Sequence, residues 1–367
     1  MRSREANVDA DDGRRWRAGP NGRRIGVLRV GSLGDHLIAL PVYRRLRERH
    51  RSDCLVLISN ALGKSNVKLV GPTDILPRAL FDEVHAYPVG SGPKTVVETF
   101  QLFRRLAIDL LYYAMPPRSE AQRWRDRAFF RVAGVPVIGL GADAARRAAV
   151  GSRPGTCEHE TDRLWRGVRG GPDRRPIARS ELSMELSGDE IAAARAAIGV
   201  APRCAVTLSI GTKCEVNDWG LDNWMRLVAE LSKLGNIDRL IMIGAADERA
   251  SSEALRSKWP GAAINLCGAL TPRVSAAVIA QSKLFVGHDS GPMHMAAAVG
   301  VPIVAVFSSR NLPGAWFPLS ANHRVHYTMI ECMGCRRVRC LDRAKECIRR
   351  ISVAEVHASC VSLLGVG

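Results

Sequence analysis

Aromatic side chains are scarce, at 5% of the chain. That argues against a surface for single-stranded nucleic acid, which interleaves basic residues with rings that stack on bases. Long hydrophobic runs are missing as well. A bilayer span needs ~18 consecutive apolar residues, and the longest candidate, Met293 to Phe307, is broken by His294, Gly300 and Pro302. The opening MRSREANVDADDGRRWRAGPNGRR has no apolar core, so it does not read as a secretory signal. No HExxH pair, nucleophile elbow or Walker loop occurs. Acids are outnumbered, 36 against 53 Lys and Arg, which gives a formal net charge of +17. Such a balance attracts phosphorylated substrates, anionic lipid or nucleic acid. The arginines are scattered from Arg2 to Arg350, so a solvated or membrane-facing surface is expected rather than base readout. The expected location is cytoplasmic, at the inner face of the cell membrane if attached, with mostly reduced thiols.

What is present is an alternation of β-rich runs and helical stretches. With 367 residues the default is two domains. Residues 1–23 read as a disordered, Arg-rich tail. A first α/β unit, 24–180, begins with the strand IGVLRV and an amphipathic helix from His36 to Arg49. It closes in an Arg/Gly/Pro-rich connection from Ala142 to Pro176 that includes a candidate helix, CEHETDRLWRGV. A second unit, 181–347, opens with Leu182, Met184 and Leu186 alternating with polar residues, as in a short edge strand. Ser187 to Glu190 then has capping-box spacing. Strands alternating with helices imply parallel, doubly wound sheets: an α/β protein of two Rossmann-like domains facing a central cleft.

Five clusters carry chemistry. Gly287-His288-Asp289-Ser290-Gly291-Pro292-Met293-His294 lies where a strand feeds a helix, an edge at which ligands bind and free N–H groups suit phosphate. Asp289 can cap that helix, and Pro292 suits its first turn. Gly31-Ser32-Leu33-Gly34-Asp35 is not the Gly-x-Gly-x-x-Gly of dinucleotide sites. Its Asp35 can serve as a helix cap or accept a proton from a sugar hydroxyl. Ser209, Gly211, Thr212 and Lys213 offer hydrogen bonds and a mobile cation for phosphate, while Trp219 and Trp224 are expected to pack in the core. Glu248, after Gly244, can hold two ribose hydroxyls. The fifth cluster, Cys332, Cys335, Cys340 and Cys347, is a candidate structural zinc site, with buried free thiols or a redox disulfide as competing readings.

IGVLRVGSLGDHLIALPVYRRLRER, SIGTKCEVNDWGLDNW and VGHDSGPMHMAAAVGVPIVAVFS resemble glycosyltransferase family 9, the lipopolysaccharide heptosyltransferases, over roughly Arg24 to Val361. The resemblance implies a GT-B fold. Its N-terminal domain takes a lipid-linked or phosphorylated glycan acceptor. Its C-terminal domain binds a nucleotide sugar, ADP-heptose above all. Transfer would invert the anomeric centre and need no metal or other cofactor. Residue by residue, Asp35 looks like the general base, with Gly34 and His36 on the acceptor side. Lys213, or the position of Asn217, looks like the phosphate-binding lysine. Glu248 looks like the ribose ligand, and Asp289, Ser290 and Gly291 like the sugar-pyrophosphate loop with His294 behind it. Residues 348–367 would form a helix packing back toward the N-terminal domain. Two rival classes are a nicotinamide-dependent oxidoreductase and a non-enzymatic basic nucleic-acid-binding protein. The charge pattern and the resemblance imply peripheral contact with an anionic membrane and no specific nucleic-acid partner.

Overall fold

The computed structural model describes residues 22–60, 71–88, 90, 92–141, 157–170 and 175–365. The expected tail and most of the Arg/Gly/Pro-rich connection lie outside the described residues. The first sheet holds β1 (Arg24–Leu28), β2 (Cys54–Asn60), β3 (Glu83–Tyr87), β4 (Leu110–Tyr113) and β5 (Val137–Ile138). All pairings are parallel, in the order β3-β2-β1-β4-β5. The second sheet holds β6 (Ala205–Ser209), β7 (Arg239–Met242), β8 (Ala262–Asn265), β9 (Leu284–His288), β10 (Ile303–Phe307) and β11 (His323–Tyr327). It too is parallel, in the order β8-β7-β6-β9-β10-β11. Each sheet reverses its winding once, between β1 and β4 and between β6 and β9. In open α/β sheets the crevice for a ligand forms at that reversal, outside the carboxyl ends of the strands.

Helix α1 (Leu33–Arg49) follows β1, α2 (Pro93–Leu106) and α3 (Glu120–Val132) cover one face of the first sheet, and α4 (Glu160–Val168) lies beside α1. Helices α5 (Gly188–Ile198), α6 (Leu221–Ser232), α7 (Arg249–Arg256), α8 (Pro272–Ile279) and α9 (Gly291–Ala298) belong to the second unit. They are followed by α10 (Glu346–Arg349) and α11 (Val353–Leu364). Central strands bury both faces, and their unbroken apolar runs follow from that.

The two units are joined through α1 and α9. One continuous apolar cluster runs from Ile25 and Leu57 through Leu37, Leu40 and Tyr43 to Met293, Ala296 and Phe307. This corrects the expected amphipathic α1: most of it, from Leu33 to Leu46, is buried because it is covered by its own sheet, by α4 and by α9. The contact is close. A Cβ on Gly34 would lie 2.9 Å from Cδ2 of His294, and one on Gly291 would lie 3.0 Å from Leu33 Cδ2. Gly34→Val should therefore wedge the first turns of α1 and α9 apart. We expect a loss of about 1–3 kcal/mol, read as a lowered melting temperature with the circular-dichroism spectrum of the folded state unchanged.

Three further readings differ from what is observed. Leu182 to Leu186 is extended but joins no sheet; its Met184 N–H donates to Ala298 O, so the alternation reflects burial along α9 rather than an edge strand. Asp289 is not the cap of α9, whose N-cap is Ser290. The C-terminal helix does not return to the N-terminal domain. Val356 and Cys360 of α11 pack with Trp219, Val228 and Val304 of the second unit, because α11 lies along α6.

Candidate active site

Asp35 is the third residue of α1. Its Oδ2 accepts from Ser32 N–H at 2.7 Å and from Ser32 Oγ at 3.0 Å, which closes the helix start. Its Oδ1 accepts from Nη2 of Arg29 at 3.3 Å. About a fifth of the side chain, 21%, stays exposed. Gly31 is required by this arrangement: a Cβ there would sit 2.4 Å from the Asp35 carboxyl carbon. The Gly-x-x-Gly-Asp spacing thus leaves one gap for the carboxylate and a second, at Gly34, for α9. The Gly31 N–H donates to Asn60 Oδ1 at the end of β2, tying the turn to the neighbouring strand.

Across the domain junction, α9 starts at Gly291 against Leu33 and Gly34. Ser290 caps it by position only, for its hydroxyl is buried and makes no hydrogen bond within the described residues. The first-turn N–H groups of α9 are not capped by that side chain, and the helix dipole adds a positive end there. Asp289, partly buried, accepts from Asn311 Nδ2 at 3.2 Å. Burial pushes its carboxyl up to about 6, raised further by the nearby Asp35 and opposed by Asn311 and Arg310. His294 is buried against Gly34, and burial pushes it down to about 3, so it is neutral, with Nδ1 unpaired.

Glu248 sits in the 3-10 turn Ala246–Glu248 that follows β7. Its carboxylate lies over two glycines: a Cβ on Gly211 would fall 1.8 Å from it and one on Gly244 2.0 Å. Oε2 is buried without a partner. Burial, helped by the Asp247 charge, pushes this carboxyl up to about 7. Thr212 turns its hydroxyl to its own loop, donating to Cys214 O at 3.3 Å. Lys213 is exposed on the same loop. Asp35, Asp289, Ser290 and Gly291 thus come together at the junction of the units. Gly211, Thr212, Lys213 and Glu248 stand at the carboxyl ends of β6 and β7 in the same second sheet.

Several expected site residues have other duties. His36 does not face the cleft. It is fully buried, with Nδ1 3.0 Å from Tyr43 Oη and Nε2 3.1 Å from Ser59 Oγ, and burial pushes it down to about 3. Ser209 is buried in the sheet. Asn217 is buried and accepts from the Ser308 hydroxyl, which makes it a strut between the β6 loop and the end of β10. Trp219 and Trp224 pack edge to face at 5.0 Å, as expected of core residues.

The cysteine quartet forms no ready-made ligand cluster. Among the described residues no three His, Cys, Asp or Glu side chains converge enough to hold one. The four thiols of the quartet form no disulfide, with Cys347 buried and Cys335 exposed. Other contacts hold this loop. Gly334 N–H donates to Ser309 O and Arg336 N–H to Arg310 O, while the Arg310 guanidinium caps the carbonyls of Arg336 and Arg337. Lys345 adds ion pairs to Glu215 and Asp218 at 3.4 and 3.2 Å. Within the loop they hold, Cys347 is buried and lies within electrostatic reach of Cys332 and Cys340.

Two Rossmann-like parallel sheets with facing reversal points and an acidic helix start opposite an amide-rich one define a GT-B type fold. Residues 175–345 match the family model described as glycosyltransferase family 9 (heptosyltransferase). Over those residues, somewhat less than half of its length, the chain is similar to that family. A 100-residue stretch, 27% of this chain, is 28% identical to lipooligosaccharide heptosyltransferase 2 of Campylobacter jejuni and spans 31% of that relative's length. The glycosyl transferase family 9 structure from Veillonella parvula superposes with a TM-score of 0.70 at 17% identity, over 95% of this chain and 99% of that one. E. coli ADP-heptose lps heptosyltransferase II gives 0.62 at 18% identity, over 93% and 98%. E. coli heptosyltransferase WaaC with ADP-2-deoxy-2-fluoro heptose gives 0.51 at 17%, over 83% and 93%. Likenesses at this identity establish the shared fold.

Proposed function

We propose that the protein is an inverting glycosyltransferase that moves a sugar, heptose first among the candidates, from a nucleoside-diphosphate donor to a hydroxyl of a lipopolysaccharide-type glycan. The observation that carries this reading is the meeting of Asp35 with the first turn of α9, where Ser290 leaves its hydroxyl unpaired. In the reaction the acceptor oxygen attacks the anomeric carbon while its proton passes to Asp35. The bond from that carbon to the diphosphate breaks, and the electron pair leaves with the diphosphate. The N–H groups of α9, the Ser290 hydroxyl and the mobile Lys213 receive the growing negative charge by fixed electrostatics. Glu248, its carboxylate over Gly211 and Gly244, holds the ribose hydroxyls. The basic surface favours a phosphorylated or lipid-linked acceptor at an anionic leaflet. Among the described residues no helix is long and apolar enough to cross a membrane.

A thermal-shift panel of ADP, GDP, UDP, CDP and NAD tests the donor class. A ligand at a hundred times its Kd stabilises by about 2.7 kcal/mol, so ADP should raise the melting temperature by several degrees. Stabilisation by NAD alone would favour the oxidoreductase, and steeply salt-dependent RNA binding the nucleic-acid reading.

A second prediction concerns Glu248. A carboxylate accepts hydrogen bonds on both oxygens only when ionised. With its carboxyl pushed up to about 7, it is protonated below that pH and must lose the proton to hold ribose. ADP affinity should therefore rise as pH increases from 6 to 8 and then flatten. Glu248→Gln should remove this part of the slope and leave only the titration of the ADP phosphate. Calorimetry across that range checks it; identical slopes in the two proteins would end the ribose role.

A further inference from the structure

Arg29, at the exit of β1, is fully buried, an unusual place for a guanidinium. Its Nη1 donates to Ala114 O at 3.0 Å and to Glu160 Oε1 at 3.2 Å. Its Nη2 donates to Asp35 Oδ1 at 3.3 Å and lies 3.4 Å from Asp35 O. Glu160, on α4, is itself wholly buried. Its two oxygens also take a bidentate pair from Arg163, at 2.7 and 2.8 Å. Arg163 in turn donates to Met115 O at 2.8 Å. Two cations and two carboxylates thus alternate, Arg163, Glu160, Arg29, Asp35, and only the last reaches the crevice. Ala114 and Met115 follow β4, so the chain of charges spans the reversal point of the first sheet.

We infer that Arg29 and Glu160 are positioning residues for Asp35, a buried ion relay that fixes one carboxylate oxygen so that the exposed edge of the group faces the start of α9. The inference rests on the general-base reading of Asp35. A capping box alone anchors only Oδ2 and leaves the carboxylate free to pivot about that oxygen. Arg29 removes the pivot by taking Oδ1, and Glu160 removes the alternative positions of Arg29. The geometry also has a cost that capping does not explain: Arg29, Glu160 and Arg163 are all buried, and taking three charged groups out of water is expensive. Both Arg29 and Glu160 sit outside the Gly-x-x-Gly-Asp motif.

The test measures transfer from ADP-heptose to an O-deacylated lipooligosaccharide by the full chain. Arg29→Met and the milder Arg29→Lys should lower kcat by roughly 10- to 100-fold, as a misplacement near 1 Å does, with KM for donor changed far less. The decisive readout is the pH profile, because the two neighbours of Asp35 in the relay have opposite charge. Removing the cation with Arg29→Met should move the acid limb of kcat to higher pH. Glu160→Gln leaves the Arg29 charge to Asp35 alone and should move that limb to lower pH. Among the described residues, the groups facing the relay include Arg163, the neutral His36, the neutral Tyr43 hydroxyl, Ser32 and, across the junction, Asp289 with Arg310. They are unchanged in both variants, so general damage would shift both limbs alike or neither. In an Asp35→Ala background, Arg29→Lys should cost nothing further in kcat. Additive losses, or limbs that stay put, overturn the inference while leaving the base in place. Full transfer by Asp35→Ala would instead remove the base reading and this relay with it.

Discussion

Asp35→Asn is expected to lower kcat by roughly a hundred- to ten-thousand-fold, the range that a positioned proton acceptor supplies. The amide keeps the shape of the carboxylate and can still accept from the Ser32 N–H, so the start of α1 should survive. ADP binding should hold, because the donor groups stand on the second sheet, at Gly211, Glu248 and Ser290. The expected signature is therefore a fall in kcat and kcat/KM together with an unchanged donor Kd, which marks an interaction made only in the transition state. Asp289 is the competing carboxylate. It lies beside Asp35, but it is more enclosed and already accepts from Asn311. Asp289→Asn should accordingly raise the donor KM more than it lowers kcat. If Asp35→Asn transferred sugar at a rate close to that of the unaltered protein, the proton would have to go elsewhere, and Asp289 would be the next candidate.

The two-sheet architecture was legible in the sequence because each strand is a short apolar run closed by a polar turn, and the helices between carry caps such as Ser187 with Glu190. The Gly-x-x-Gly-Asp and His-Asp-Ser-Gly-Pro stretches were legible for the same reason: a glycine or proline at a strand–helix edge restricts what the backbone can do. Arg29 was not legible. Its partner Glu160 is 131 positions away, and a strand-terminal arginine in so basic a chain looks like surface charge. His36 misled because a histidine after the acid suggested a second site group, whereas helical geometry turns it toward Tyr43 and Ser59. The cysteine quartet is legible only as a spacing. Whether thiols converge depends on the loop path, and Arg310 and Lys345 set that path by contacts to backbone and carboxylates far along the chain. The C-terminal helix followed the same rule: its apolar face fits α6 of its own domain, and local sequence cannot say which unit supplies the partner.

Glu160→Ala should destabilise the folded protein by about 3–5 kcal/mol, the usual cost of removing one partner from a buried ion pair. At about 2–4 °C per kcal/mol for a chain portion of this size, the melting temperature should fall on the order of 10 °C. The size of the effect comes from burial. Glu331, whose side chain is 84% exposed, pairs with Arg343 at 2.6 Å, yet Glu331→Ala should cost less than about 1 kcal/mol because water replaces the lost partner. At position 160 no water replaces it, and Arg29 and Arg163 are left facing each other across a dry gap. Equal melting temperatures for the two variants would show that the buried cluster is hydrated or rearranged. Replacing the cluster as a whole separates stability from use. Well-packed apolar groups can match a buried ion network or exceed it, so Arg29→Met, Glu160→Leu and Arg163→Met together should recover much of the lost melting temperature. Sugar transfer should not recover with it, since the triple variant leaves Oδ1 of Asp35 without its anchor. Stability regained with activity still lost is the outcome that assigns the four charges to holding the base rather than to holding the fold.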